Sequence, residues 1–329
     1  MLSFFPDDFD LVLPDRVKQG QPAKGPTQWP TDATKDVLPV GCHSHNDYWR
    51  PIPLFSALQA GCTGVEADVW LTDGDLFVGH SRSSLTPNRT LQSLYVNPIV
   101  KLLDKQNPLT DSHAQKDQPF NGVFDTDPSQ SLVLLIDFKT DGSETWPYVV
   151  SQLSPLRDRG YLTYFNGTGI SSGAVTVVAT GNAPFDLLTA NTTYRDIFFD
   201  APLDVFAEEG KRSPGDHGQG HSGTGSVTGP DAYNETNSYY ASVSFMKSIG
   251  FAWRLHITSS QIDLIRAQIA GAHRHGLKVR YWETPNWPRR LRNHIWTILV
   301  REGVDYLNVD DLRSATTQDW KHRFSDWWH

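Results

Sequence analysis

The sequence predicts an α/β protein built as a (β/α)8 TIM barrel. Three observations predict it. Strand-like and helix-like patterns alternate through most of the 329 residues, and such alternation means a parallel sheet with helices outside. Roughly eight strand-helix units can be traced, the number that closes a barrel. No GxGxxG follows the first strand, which counts against a doubly wound open sheet.

The elements follow in order. Residues 1–37, rich in Pro, Asp, Lys and Gln, read as a surface arm, and 38–329 as a single barrel domain. VLPVGCHS is the first strand, and PLFSALQAG a helix stopped by Gly61. TGVEADVWL is a strand, and LFVGH returns from the Asp73-Gly74 turn. TLQSLYVNPIVKLLDK reads as a helix. SLVLLIDFK is a continuous apolar run, as a strand buried on both faces should be. ETWPYVVSQLSPLRDRG is helical despite its prolines, and YLTYF, AVTVVATG, RDIFFDAP and ASVSF read as strands. SSQIDLIRAQIAGAHRHG is an amphipathic helix with a Ser N-cap and a Gly stop. LKVRYWET is a strand, WPRRLRNHIWTILVREG a helix, and VDYLNVDD the last strand. One segment interrupts this pattern: 209–238, rich in Gly, Ser, Pro and Asp, is a long loop of the kind that is usually functional or disordered.

Composition narrows the function. The net charge is −8 with no basic run, which argues against nucleic acid as a partner. No apolar run reaches membrane-span length, and a monomer is expected. The two cysteines, Cys42 and Cys62, form no disulfide framework; pairing between neighbouring strands and two buried thiols are equally open. Four Asn-x-Thr sequons, at Asn88, Asn166, Asn191 and Asn234, predict a secreted, N-glycosylated protein whose signal peptide has been removed. Of the eleven tryptophans most are core; Trp320, Trp327 and Trp328 suggest a C-terminal helix docked on the barrel.

Residues i and i+2 of a strand share a face. In VEADV this pairs Glu66 with Asp68, and in LLIDFKT it pairs Asp137 with Lys139. Carboxylates gathered in a low-dielectric mouth repel one another unless a cation or protons neutralise them. A hard divalent ion does this, and Mg²⁺ and Ca²⁺ both take carboxylate oxygens. Salt bridges to arginine, and a plain Asp137–Lys139 pair, are the competing explanations. His80 closes the return strand. In GCHSHNDYW, His43 and His45 share a face, and three readings compete: an HxH metal pair as in amidohydrolases, a proton-transferring His45 beside an oxygen ligand Asn46, or a polar turn.

These segments resemble a known group. SHNDYW is similar to the SHN-Tyr signature of phosphoinositide-specific phospholipases C, whose histidine is catalytic and whose asparagine binds calcium. GVEADVWLTDGDLFVGH resembles the E-x-D, turn, His segment that those enzymes share with glycerophosphodiester phosphodiesterases. LIDFKT and RYWET resemble segments of the spider sphingomyelinases D. From about 38 to 313 the chain is most similar to the fungal family called altered inheritance of mitochondria protein 6, through SHNDYW, GVEADVWL, VTVVATGNAPFD, KVRYWETPNWP and VDYLNVDDL. All belong to the phospholipase-C-like phosphodiesterase superfamily of (β/α)8 barrels.

The resemblance implies a metal-dependent phosphodiesterase acting on a phospholipid or glycerophosphodiester, by way of a cyclic phosphate. His45 and His80 become the acid/base pair; Glu66, Asp68, Asp137 and Asn46 the ligands of one Mg²⁺ or Ca²⁺. Lys139 and Trp282 would line the substrate site, and Tyr48 and Arg50 follow strand one on the same mouth. Two departures stand out. His43 occupies a position where the phospholipases have a small residue, which places it one layer deeper. Asp137 stands where glycerophosphodiesterases usually have Glu. An amidohydrolase using His43 and His45, and a barrel that binds phospholipid without turnover, remain as alternatives.

Overall fold

The computed structural model describes residues 34–108, 119–207, 229–250, 257–318 and 320. Its strands are β1 (Val40–Ser44), β2 (Cys62–Thr72), β3 (Asp75–Val78), β4 (Leu132–Phe138), β5 (Tyr164–Phe165), β6 (Ile170–Ser171), β7 (Val175–Gly181), β8 (Ile197–Pro202), β9 (Ser238–Ser244), β10 (Lys278–Trp282) and β11 (Tyr306–Val309). Eight of these pair in parallel in the order β1-β2-β4-β7-β8-β9-β10-β11, and β11 returns to β1. The barrel is closed, as the alternation predicts. β3 lies antiparallel on β2 and holds the short return.

The helices are α1 (Phe55–Ala60), α2 (Asn97–Gln106), α3 (Gly142–Gln152), α4 (Ser154–Arg157), α5 (Phe185–Thr189), α6 (Phe245–Ser248), α7 (Ser259–Arg274), α8 (Arg289–Glu302) and α9 (Leu312–Thr316). Two endings follow the expected chemistry: Gly61 and Gly303 close α1 and α8 in the left-handed region, which glycine enters without a Cβ penalty. Two expectations need correcting. YLTYF contributes only β5, which pairs with β6 outside the barrel, because aromatic alternation fits any half-buried hairpin as well as a barrel strand. Helix α7 is capped by Thr258, not Ser; its side chain accepts from the Gln261 N–H in a capping box.

Strand periodicity divides the side chains. Outward residues such as Val65, Ala67, Leu134, Ile136, Val279 and Tyr281 join the main core beneath the helices. A separate apolar cluster of Val133, Leu135, Val178, Tyr240 and Tyr306 fills the barrel interior. Above it the inward positions turn polar: His43, Glu66, Asp200, Arg280 and Asn308 are all buried. His43 faces Gly64 across the β1–β2 pair, and a Cβ on Gly64 would overlap its ring. That glycine is what lets a histidine fit inside the wall.

Cys42 and Cys62 form a disulfide between β1 and β2, beside a register shift that separates the Val40–Cys62 pair from the His43–Gly64 pair. The end of the arm packs against the barrel: Thr34 Oγ1 donates to the Val123 carbonyl at 2.7 Å. Residues 1–33, most of the long loop (209–228), Trp327 and Trp328 lie outside the described residues. Trp320 is buried, with its ring 5.3 Å from that of Trp296. Three sequons serve the chain locally. Asn166 Oδ1 accepts from the backbone of Thr168 and Gly169, Asn191 Oδ1 from Thr193 and Tyr194, and Asn234 Oδ1 from Thr236. Each Thr hydroxyl donates to the same oxygen. Asn-x-Thr is here a turn-closing motif.

Candidate active site at the mouth of the barrel

The C-terminal strand ends gather the predicted residues. Asp68 on β2 and Asp137 on β4 are direct cross-strand neighbours, a like-charge pairing that destabilises a sheet. With Glu66 they place one oxygen each within 4.8 Å of one another. Gly181, in the left-handed region beside β4, leaves room for Asp137; a Cβ there would overlap its Oδ1. Lys139 Nζ donates to Asp137 Oδ2 at 2.6 Å and lies 3.1 Å from Asp68 Oδ2. Asp68 Oδ1 is buried with no hydrogen-bond partner among the described residues.

Burial, then the charges of Asp137 and Glu66, push Asp68 up to about 8. Burial also raises Asp137, although Lys139 draws it back. Burial works to lower Lys139, but Asp137 and Asp68 outweigh it and hold the ammonium charged. Fully ionised, three carboxylates against one lysine would leave two negative charges, the complement of one divalent cation. The orphaned Asp68 oxygen and the oxygen-only donor set fit a hard ion of that kind.

The turn after β1 is held against this cluster. Asn46 takes the left-handed conformation, and its N–H donates to Glu66 Oε2 at 3.0 Å. The Tyr48 hydroxyl carries one proton yet lies 2.5 Å from Asn46 Oδ1, 2.8 Å from Asp68 Oδ2 and 3.2 Å from His80 Nδ1. Given to Asp68, that proton leaves the oxygen to accept from His80. Turning the Asn46 amide over then satisfies both its contacts: Nδ2 donates to Tyr48 and Oδ1 faces His45 Nδ1, 3.4 Å away.

His45 is oriented by a residue that motif reading left without this role. Its Nδ1 lies 2.9 Å from Asp310 Oδ1, and Asn286 Nδ2 donates to Asp310 Oδ2 at 2.5 Å. With the proton on Nδ1, Nε2 is left for proton transfer. Burial acts to lower the His45 pKa, but the Asp310 hydrogen bond and the Glu66 and Asp310 charges outweigh it and raise it. The signal for Asp310 was available: it follows Asn308 at i+2 on the inward face of the last strand. His80 is the more open histidine, with 55% of its side chain exposed, and its ring lies 4.9 Å from that of Trp49.

The remaining predicted residues divide. Trp282 ends β10, half-buried, next to Ser244 of β9. Tyr48 is buried, its hydroxyl engaged as described. Arg50 turns away from the cluster. Its Nε donates to Ser44 Oγ, and its remaining contacts are the carbonyls of His45, Val309 and Asp310, so it ties strand β1 to β11. His43 is fully buried, 3.4 Å from the Tyr240 hydroxyl, and burial with Arg280 nearby holds its pKa well below the usual histidine value.

A family model described as an AIM6-like phosphodiesterase domain matches residues 31–200. The chain belongs to that family. The altered inheritance of mitochondria protein 6 homolog of Arthroderma benhamiae is 40% identical over 298 residues, 88% of this chain and 86% of the relative. Altered inheritance of mitochondria protein 6 of Eremothecium gossypii is 35% identical over 86% of this chain and 70% of its own. The Saccharomyces cerevisiae protein of that name is 36% identical over 86% of this chain and 72% of its own. No solved structure matches the chain. These findings overturn the expectation of a secreted protein. The relatives' name ties them to mitochondria, and three of the four sequons that suggested secretion close local turns. Among the described residues no helix is long and apolar enough to cross a membrane.

Proposed function

We propose that the chain is a divalent-metal-dependent phosphodiesterase that cleaves a phospholipid or glycerophosphodiester. The observation that carries this reading is the carboxylate trio of Glu66, Asp68 and Asp137, with an orphaned Asp68 oxygen, one turn of chain away from an oriented histidine. Those three side chains would hold one Mg²⁺ or Ca²⁺; Asn46 would join them only with its amide turned to bring Oδ1 to the Tyr48 side. Bound there, the ion would neutralise phosphoryl oxygens as a Lewis acid.

The chain's own groups supply the rest. Lys139 brings a fixed positive charge to the equatorial oxygens of the phosphate. His45, its Nδ1 proton held by Asp310, presents Nε2 as one proton-transfer group. His80 offers the second from the open side of the mouth, and the two divide the tasks of deprotonating the attacking hydroxyl and protonating the leaving oxygen. A neighbouring hydroxyl of the substrate is the expected first nucleophile, giving a cyclic phosphate before water opens it. The amidohydrolase alternative gains no support: His43 lies sealed inside the wall with Tyr240, and Asp310 faces His45 instead.

The test is hydrolysis of a phosphodiester panel by chelator-stripped protein with Mg²⁺, Ca²⁺ or Zn²⁺ restored. His45→Ala and His80→Ala should each lower the restored rate by about 10²–10⁴-fold, and His43→Ala much less. No cleavage of any diester with any ion would overturn the reading.

A further inference from the structure

Two indoles stand exposed at the mouth. Trp287 is 79% exposed and Trp49 61%, although each follows a C-terminal strand end that leads into the site. Neither hangs on a loose tip. The Trp49 ring packs on His80, and Asn286, beside Trp287, is fastened to Asp310. Exposed arginines accompany them: Arg82 after β3, and Arg289 and Arg290 at the start of α8. A helix N-terminus disfavours cations, and the first turn of α8 carries no acidic residue to offset them. Helix stability therefore gives no reason for these arginines. Of the carboxylates next to them, Asp310 is held by His45 and Asn286, and Glu283 accepts from Ser244. In a chain of net charge −8, three exposed arginines thus stand beside the two indoles on this sector of the rim.

We propose that the rim docks on a lipid bilayer containing anionic phospholipid, with Trp49 and Trp287 entering the headgroup layer and Arg82, Arg289 and Arg290 meeting lipid phosphates. Indole rings favour the membrane–water interface, where the ring body is shielded and the N–H stays wet. Basic side chains at an anionic surface add attraction that salt screens. The inference rests on the phosphodiesterase reading of the site, and adds that the substrate is met at a surface.

The test is co-sedimentation of the full chain, in chelator, with phosphatidylcholine vesicles with and without phosphatidylglycerol. The wild type should sediment with the anionic vesicles, less at high salt and less with phosphatidylcholine alone. Trp287→Ala combined with Arg289→Glu and Arg290→Glu should weaken partitioning about tenfold or more, with thermal stability and hydrolysis of a soluble short-chain diester unchanged. Wild-type protein that binds no vesicles, or a triple variant that partitions like wild type, overturns the proposal. Soluble-diester hydrolysis without vesicle binding overturns docking alone. Variant-sensitive vesicle binding without hydrolysis of any diester supports docking and overturns the reading of the site.

Discussion

The two halves of the barrel wall treat buried charge in opposite ways. On the β2–β4 side, Glu66, Asp68 and Asp137 converge with Lys139 as the cation they share. On the β8–β11 side, Arg280 answers Asp200 at 3.2 Å and spends its other donors on Ser242 and Asn308. Both side chains of that pair are nearly inaccessible, at 4% and 1%. The second half is balanced within itself; the first gathers three carboxylates around one ammonium. A fold gains nothing from an unneutralised acidic cluster, and it is on this side of the wall that the proposed metal site lies.

Breaking the balanced side should cost stability. Arg280→Met leaves Asp200 buried without its counter-charge, and thermal or urea unfolding should show a loss of about 3–5 kcal/mol. Pairing it with Asp200→Leu should recover most of that loss. A single substitution with no stability effect would mean that the two halves do not differ as described.

The two adjacent carboxylates after β11 sharpen the comparison. Asp310 orients His45, whereas Asp311 caps α9 through Ser314 and accepts from Arg292 at 2.7 Å. Asp310→Asn should lower kcat about tenfold or more, near 1.4 kcal/mol of barrier, with little change in melting temperature. Equal kcat in the two proteins would remove Asp310 from the machinery.

Asp68→Asn should do two things at once: abolish metal-restored hydrolysis and raise the melting temperature in chelator. Asp68 is pushed up to about 8 in the folded state, above its unfolded value near ~4. Folding with Asp68 in place therefore becomes less favourable as pH rises between those values. The gain from Asn should be fullest above pH 8 and vanish near pH ~4; a stability difference that ignores pH would contradict it.

The smallest effect is expected at Asp311. Burial acts to raise its pKa, but the Ser314 donors and Arg292 outweigh it and lower it. Its contribution is present above the unfolded carboxylate range and is lost as pH falls through the depressed value. Asp311→Ala should cost about 1 kcal/mol near neutrality, narrow in acid, and leave kcat unchanged.

Alternation along single strands determined much of this protein from sequence alone. Period two placed Glu66 with Asp68 and Asp137 with Lys139, and it put His43 and His45 on one face, because strand geometry is local and leaves little choice. The helix stop at Gly61 was legible because glycine's freedom to enter the left-handed region is a local property too. The Asn-x-Thr motifs show how a local pattern misleads: a glycosylation sequon and a turn closed by Asn Oδ1 have the same letters. What the tertiary structure decided depends on which strands become neighbours. Closing the ring sets β11 against β1, so Asp310 meets His45 across 265 residues and Arg50 binds the carbonyls of β11. The same closure sets Arg280 against Asp200 and joins Cys42 to Cys62, a pairing the sequence left open. Periodicity tells a side chain which way to face, but only the closed barrel supplies what it faces.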